Sequence, residues 1–132
     1  MEFTIGLRGE ASAFVDSSNT AKTVGSGELE VFATPSMIAL MEEASTNALA
    51  EGMPEHSSSV GTMINVKHMA ATPMGMKVSA KAELVEVDGK RLVFSVEAFD
   101  EKDKIGEGRH ERFVISKERF MTKTNGKSNL NY

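Results

Sequence analysis

Residues 34–50, Thr-Pro-Ser-Met-Ile-Ala-Leu-Met-Glu-Glu-Ala-Ser-Thr-Asn-Ala-Leu-Ala, decide the fold. Thr34 before Pro35 is a helix-start signal: a threonine hydroxyl satisfies a free amide at a helix N-terminus, and proline at the first helical position has no N–H to leave unpaired. Wound as a helix, the segment puts Met37, Met41, Ala44 and Ala48 on one face, with Leu40 on one flank and Ile38 and Leu49 on the other. Glu43 and Asn47 fall opposite, whereas Glu42 falls at the margin beside Ile38 and Leu49. A helix with one apolar face needs a surface to lie on, and the rest of the chain reads as strands.

Downstream, residues 60–71 alternate with the period of a strand. Val60, Thr62, Ile64, Val66, His68 and Ala70 fall on one face and Gly61, Met63, Asn65, Lys67 and Met69 on the other, so His68 is expected to point with the apolar set. Pro73-Met74-Gly75 is a turn, after which Val78, Ala80, Ala82 and Leu84 alternate with Lys77, Ser79, Lys81 and Glu83. Asp88-Gly89 marks a hairpin. A strict two-residue loop there would turn the two apolar faces to opposite sides. The expected register therefore has a three-residue loop, Val87-Asp88-Gly89, which pairs Leu84 with Leu92, Ala82 with Phe94 and Ala80 with Val96.

After the charged turn at 100–104, a last strand is expected from Ile105 to about Ser116, with Gly106, Gly108, His110, Arg112 and Val114 on one face. Two glycines in a strand mark a close approach of backbone or ligand. Upstream, Phe3, Ile5 and Leu7 alternate as an edge strand continuing toward Phe14, and residues 16–28, rich in Ser, Thr, Asn and Gly, form a loop able to cover something. One strand, one long helix and four strands is an α+β plan: a helix laid on a single antiparallel sheet, with any uncovered surface meeting a second copy.

The chain has 132 residues, which implies one domain; we assign residues 1–122 to it and the polar stretch 123–132 to a frayed tail. A formal charge of −4 provides no basic field for nucleic acid, and the absence of cysteine excludes disulfides, thiolate metal sites and cysteine nucleophiles. No apolar run reaches the ~20 residues of a membrane span, and the N-terminus lacks the features of a signal peptide, so no membrane partner and a cytoplasmic location are expected.

Three blocks carry a resemblance: V-F-A-T-P-S-M-I-A-L-M-E at 31–42, V-G-T-x-I-x-V-K-H-x-A-A-T-P at 60–73, and G-E-G-R-H-E-R at 106–112. Together they are similar to the fluoroacetyl-CoA thioesterase family, over residues 31–120. That resemblance implies a hotdog fold and hydrolysis of an acyl-CoA thioester. It implies Thr34, Glu42 and His68 as the catalytic groups, with Gly61, His68 and Arg112 contributing to substrate binding. It implies no metal and no cofactor beyond the coenzyme A of the substrate, and a homodimer or a tetramer. The fluoroacetyl-CoA enzyme carries aromatic side chains just before the first block, where this chain has Gly25-Ser26-Gly27-Glu28-Leu29, so the reaction class carries over without the fluorinated substrate.

Thioester hydrolysis needs a nucleophile or activated water, a group that moves a proton, and donors aimed at the developing oxyanion. The helix start at Thr34 offers free N–H groups. Glu42, about 12 Å further along the helix, would meet Thr34 only through a bridging substrate or across a subunit interface, and there acts as base or as carboxylate nucleophile. His68 can donate to the carbonyl or protonate the thiolate. The fork of Arg112 suits phosphate, and Lys67, Lys77 and Lys81 could face the nucleotide end of coenzyme A. Each residue also has an ordinary reading: Thr34 as N-cap, Glu42 as solvated helix residue, His68 as core histidine, Arg112 as surface ion pair. A non-catalytic acyl-CoA-binding or sensing module of the same fold is the competing function.

Overall fold

The computed structural model describes residues 2–128. In chain order the elements are β1 (Arg8–Phe14), α1 (Ala21–Val24), α2 (Thr34–Leu49), β2 (Ser57–His68), β3 (Lys77–Asp88), β4 (Arg91–Phe99), β5 (Lys104–Ser116) and α3 (Lys117–Asn125). The strands form one antiparallel sheet in the order β1-β3-β4-β5-β2, so β1 and β2 are its two edges. Helix α2 lies across the inner face and buries Met37, Leu40, Met41, Ala44, Ala48 and Leu49, the face its period indicated. Opposite it, Val78, Ala80, Ala82 and Leu84 of β3 and Leu92, Phe94, Val96 and Ala98 of β4 are fully covered. The close approach is made possible by Gly9 of β1, where a Cβ would stand 2.2 Å from the Ala44 carbonyl oxygen. The outer face carries cross-strand ion pairs instead, among them Arg8–Glu83 at 3.2 Å, Arg91–Glu111 at 2.9 Å and Lys104–Glu97 at 2.8 Å.

Several expectations need correction. β1 starts at Arg8, not Phe3: Leu7 N–H returns to the Thr4 carbonyl, Gly6 takes φ 101, and Ile5 is left 62% exposed while Phe3 tucks under the core. Within the loop at 16–28, Thr20 caps the short α1 by accepting from Thr23 N, and Gly25 closes it at φ 81. In the β3–β4 hairpin the two-residue turn is Gly89-Lys90, and a bulge between Leu84 and Glu86 restores the parity, so Leu84 pairs with Phe94, Ala82 with Val96 and Ala80 with Ala98. The apolar faces do meet, as the alternation required, but each pairing lies two residues from the expected one. Either device places the same residues inside, and which is used depends on packing along the hairpin.

β2 also carries a bulge, between Gly61 and Met63. Strict alternation would place Val60 beside His68, but the extra residue reverses the faces upstream of it. Gly61 therefore pairs with Arg112 on the inner side, together with Ile64, Val66 and His68, and Val60 turns outward opposite Phe113. Helix α3, capped by Ser116 accepting from Arg119 N, includes Lys123, Thr124 and Asn125, the first residues of the tail expected to fray. Residues 129–132 lie outside the described residues.

Candidate active site

Thr34 is the first residue of α2, but it does not cap it. The N-cap is Ala33, with no side-chain cap bond, and Pro35 follows in the first turn. Because Ala33 N–H is taken by the Asn19 carbonyl and Pro35 has no N–H, the amides of Thr34 and Ser36 are the first-turn donors without an intrahelical acceptor. They sit at the positive end of the helix. Freed from capping, the Thr34 hydroxyl lies 2.7 Å from Nδ1 of His68.

His68 ends β2 opposite Gly106 of β5. Among the described residues its buried Nε2 has no hydrogen-bond partner. Burial lowers the proton affinity of the ring below the usual histidine value, against a weaker opposite pull from the Ala70 backbone, so the imidazole is neutral near pH 7. A neutral ring paired with Thr34 through Nδ1 and unpaired at Nε2 has one polar atom left for a ligand. Ala21, Ser26, Phe32, Thr34, His68 and Ala70 line a cleft of about 290 Å³ there.

Glu42 belongs to a second cluster. Its Oε2 accepts from Arg112 Nη1 at 3.3 Å and stands 3.9 Å from His110 Nε2, and among the described residues its Oε1 has no partner. Gly61 provides the room, since a Cβ there would stand 2.6 Å from Glu42 Oε2. A pocket of about 250 Å³ opens beside it between Ile38, Glu42, Gly61, Met63, Ile64 and His110. Arg112 is 6% exposed and committed to protein groups: Nε donates to Ser59 Oγ at 2.8 Å, Nη2 to the Ser59 carbonyl at 2.9 Å, and Nη1 meets His110 Nε2 at 3.2 Å. Burial pulls its proton affinity down and the Glu42 carboxylate opposes this. The expectations of a surface ion pair and of a phosphate-binding fork are corrected, because the guanidinium points inward. Lys67, Lys77 and Lys81 stand on the outer face, away from both clusters.

Within the chain, therefore, Thr34 and His68 come together, Glu42, Gly61 and Arg112 come together, and the two clefts share no lining residue. His110 is the group that sequence reasoning placed on this face without assigning it a part. The signal was present in its position two residues before Arg112, but the β2 bulge is what turns Gly61 to its side, and the packing of α2 is what brings Glu42 near it.

The profile of the fluoroacetyl-CoA-specific thioesterase family matches residues 15–118. The chain is 48% identical over 99 residues to the fluoroacetyl-CoA thioesterase of Streptantibioticus cattleyicolor, covering 75% of this chain and 71% of that one. A solved structure of a fluoroacetyl-CoA thioesterase superposes with a TM-score of 0.89 at 40% identity, covering 96% of this chain and 98% of that one. A thioesterase-superfamily protein from Thermus thermophilus superposes with a TM-score of 0.89 at 25% identity, over 97% and 95% of the two chains. By match length, identity and fold, the chain belongs to the fluoroacetyl-CoA-specific thioesterase family, as a thioester hydrolase of hotdog fold.

Proposed function

We propose that this acyl-CoA thioesterase works as a homodimer in which Thr34 and His68 of one protomer act with Glu42 of a second copy. The observation that carries the reading is the Thr34–His68 pair at the helix start, with His68 Nε2 buried and unpaired. With Thr34 O–H donating to Nδ1, the ring proton sits on Nε2, which donates to the thioester carbonyl or to the departing thiolate. The Thr34 and Ser36 amides stabilise the oxyanion. Glu42, held by one oxygen, uses the other either to take a proton from the attacking water or to attack the carbonyl carbon itself. Trapping separates these: direct attack passes through a mixed anhydride on Glu42 that hydroxylamine intercepts, whereas the base route forms no bond to the enzyme.

The free edge of β2 supports this assembly. It is twelve residues long, with no proline and a single lysine, whereas edges that stay unpaired are short or blunted by charge. A second β2 laid antiparallel about a two-fold through Asn65 sets Ile64 against Val66 and Met63 against Lys67, and the bulge after Gly61 then brings Gly61 of the second copy, with Glu42 behind it, beside His68. Gly61 and Arg112 then line the acyl end of the substrate.

A variant of the fluoroacetyl-CoA enzyme, 38% identical to this chain, has been solved in complex with acetyl-CoA, which supports a coenzyme A thioester over other carriers. Location in the cytoplasm is part of the same reading; among the described residues no helix is long and apolar enough to cross a membrane. The test is release of free thiol from a panel of acetyl-, fluoroacetyl- and longer acyl-CoAs. Glu42→Gln is expected to abolish release while leaving the melting temperature unchanged. A ligand-induced rise in melting temperature with no thiol over hours would instead establish a binding module.

A further inference from the structure

His110 is 1% exposed in the middle of β5, beside the Phe94 ring and next to both Arg112 and Glu42. Its Nδ1 lies 2.8 Å from the Met63 carbonyl. A carbonyl only accepts, so Nδ1 carries the proton and Nε2 presents a lone pair. Burial, helped by Arg112, keeps the ring neutral, against weaker opposing effects of the Met63 carbonyl, Glu42 and Glu111. Nε2 therefore accepts one of the two hydrogens on Arg112 Nη1, at 3.2 Å. The other goes to Glu42 Oε2.

The remaining N–H groups of the guanidinium bear on the same point. Nε and Nη2 are fastened to Ser59, which prevents Arg112 from sliding along the sheet but leaves it able to pivot toward Glu42. If Nε2 of His110 did not hold one Nη1 hydrogen, that hydrogen would be buried without an acceptor, which favours a turn of the guanidinium toward Glu42, whose Oε1 is unpaired among the described residues. A pivot of that kind sets Nη1 and the second hydrogen of Nη2, whose first is held by the Ser59 carbonyl, against the carboxylate as two parallel N–H groups, the fork that guanidinium groups favour. Both oxygens of Glu42 would then be occupied.

We propose that His110 is a positioning residue for the hydrolytic reaction: its neutral Nδ1–H tautomer holds back one Nη1 hydrogen of Arg112, limits Arg112 to a one-point contact with Glu42 Oε2, and so leaves Glu42 Oε1 free to react. The inference rests on the reading of Glu42 as the reacting carboxylate. It adds a residue that the reading does not use and gives Arg112 a second duty besides lining the acyl end.

Two neutral amides separate the two halves of the imidazole. Asparagine at 110 reaches the Met63 carbonyl with its N–H but offers Arg112 no acceptor. Glutamine reaches Arg112 with its carbonyl oxygen and gives up the tether to Met63. His110→Asn is expected to lower kcat for acyl-CoA by about tenfold or more with KM within about threefold. His110→Gln is expected to recover most of that loss. Equal damage in the two variants, or full kcat in His110→Asn, overturns the proposal. Ring-nitrogen 15N shifts of His110 in the unaltered protein give a readout that needs no variant to fold: a protonated Nδ1 with bare Nε2 supports the proposal, and a protonated Nε2 overturns it. Glu42→Gln assayed alongside keeps the two readings apart. If that variant remains active, the assignment of Glu42 has failed; if it is inactive while His110→Asn is fully active, only the role of His110 has failed.

Discussion

Replacing Gly61 with alanine tests the site more sharply than removing a functional group. The new methyl carbon would stand 2.6 Å from Glu42 Oε2, 3.1 Å from His110 Cε1 and 3.4 Å from Arg112 Nη1. Ordinary contact between carbon and oxygen begins near about 3.4 Å, so the carboxylate must retreat by roughly 0.8 Å. It can do so, because the Glu42 side chain is 41% exposed and sits at the far end of a flexible stem. In the core only the His110 ring has to give, by a few tenths of an ångström, and alanine reduces the freedom of the unfolded chain relative to glycine, a gain of about 0.4–1 kcal/mol that offsets the local strain. Stability should thus change by less than about 1 kcal/mol. A displacement near 1 Å of a reacting group costs on the order of a hundredfold in rate, about 2.7 kcal/mol of barrier. The assay is steady-state thiol release from acetyl-CoA beside thermal unfolding of the same preparation. A kcat within threefold of the parent would refute the placement of Glu42 in this notch, and a fall in melting temperature matching the activity loss would show that Gly61 serves the fold.

At Gly9 the outcome should be the reverse: a Cβ would meet backbone, Ala44 O at 2.2 Å and Ala48 N at 2.4 Å, so Gly9→Ala is expected to cost about 1–3 kcal/mol in denaturant unfolding. Thr34→Val preserves shape and removes the hydroxyl that meets His68; since Thr34 does not cap α2, kcat should drop at least about tenfold with helix content in circular dichroism unchanged, and a drop under twofold would remove Thr34 from the mechanism. His68 and His110 both bind protons more weakly in the folded chain than at the ordinary histidine value of 6.5, because burial disfavours their charged forms. Unfolding therefore takes up protons below pH 6.5, so the melting temperature should hold steady on the alkaline side and decline as pH falls below that value; a melting temperature that rises on acidification would contradict burial of both rings.

Much of the architecture was legible because it is written in local periodicity. The spacing of Met37, Met41, Ala44 and Ala48 gave the buried face of α2, and the alternation from Val78 to Leu84 gave the inner face of β3, since helix and strand geometry translate directly into residue intervals. Helix α3 was missed because Phe120 and Met121 are too few to make a period, although Ser116 carried a cap signal. The three motif blocks pointed to the family and to the residues now standing in two clefts.

What the sequence by itself determined was which faces turn inward and which residue types are available for chemistry. The tertiary structure decided who meets whom. Two of the β-bulges are decisive, each inserting one residue: one, together with the turn at Gly89-Lys90, leaves the β3–β4 pairing two residues from the expected one, and the other turns Gly61 toward Glu42 and Arg112 in place of Val60. Likewise the Thr34 hydroxyl, locally suited to capping, goes to a histidine thirty-four residues away. Bulge position and hydrogen-bond choice are settled by the packing of distant segments against one another, and that competition has no signature in neighbouring residues.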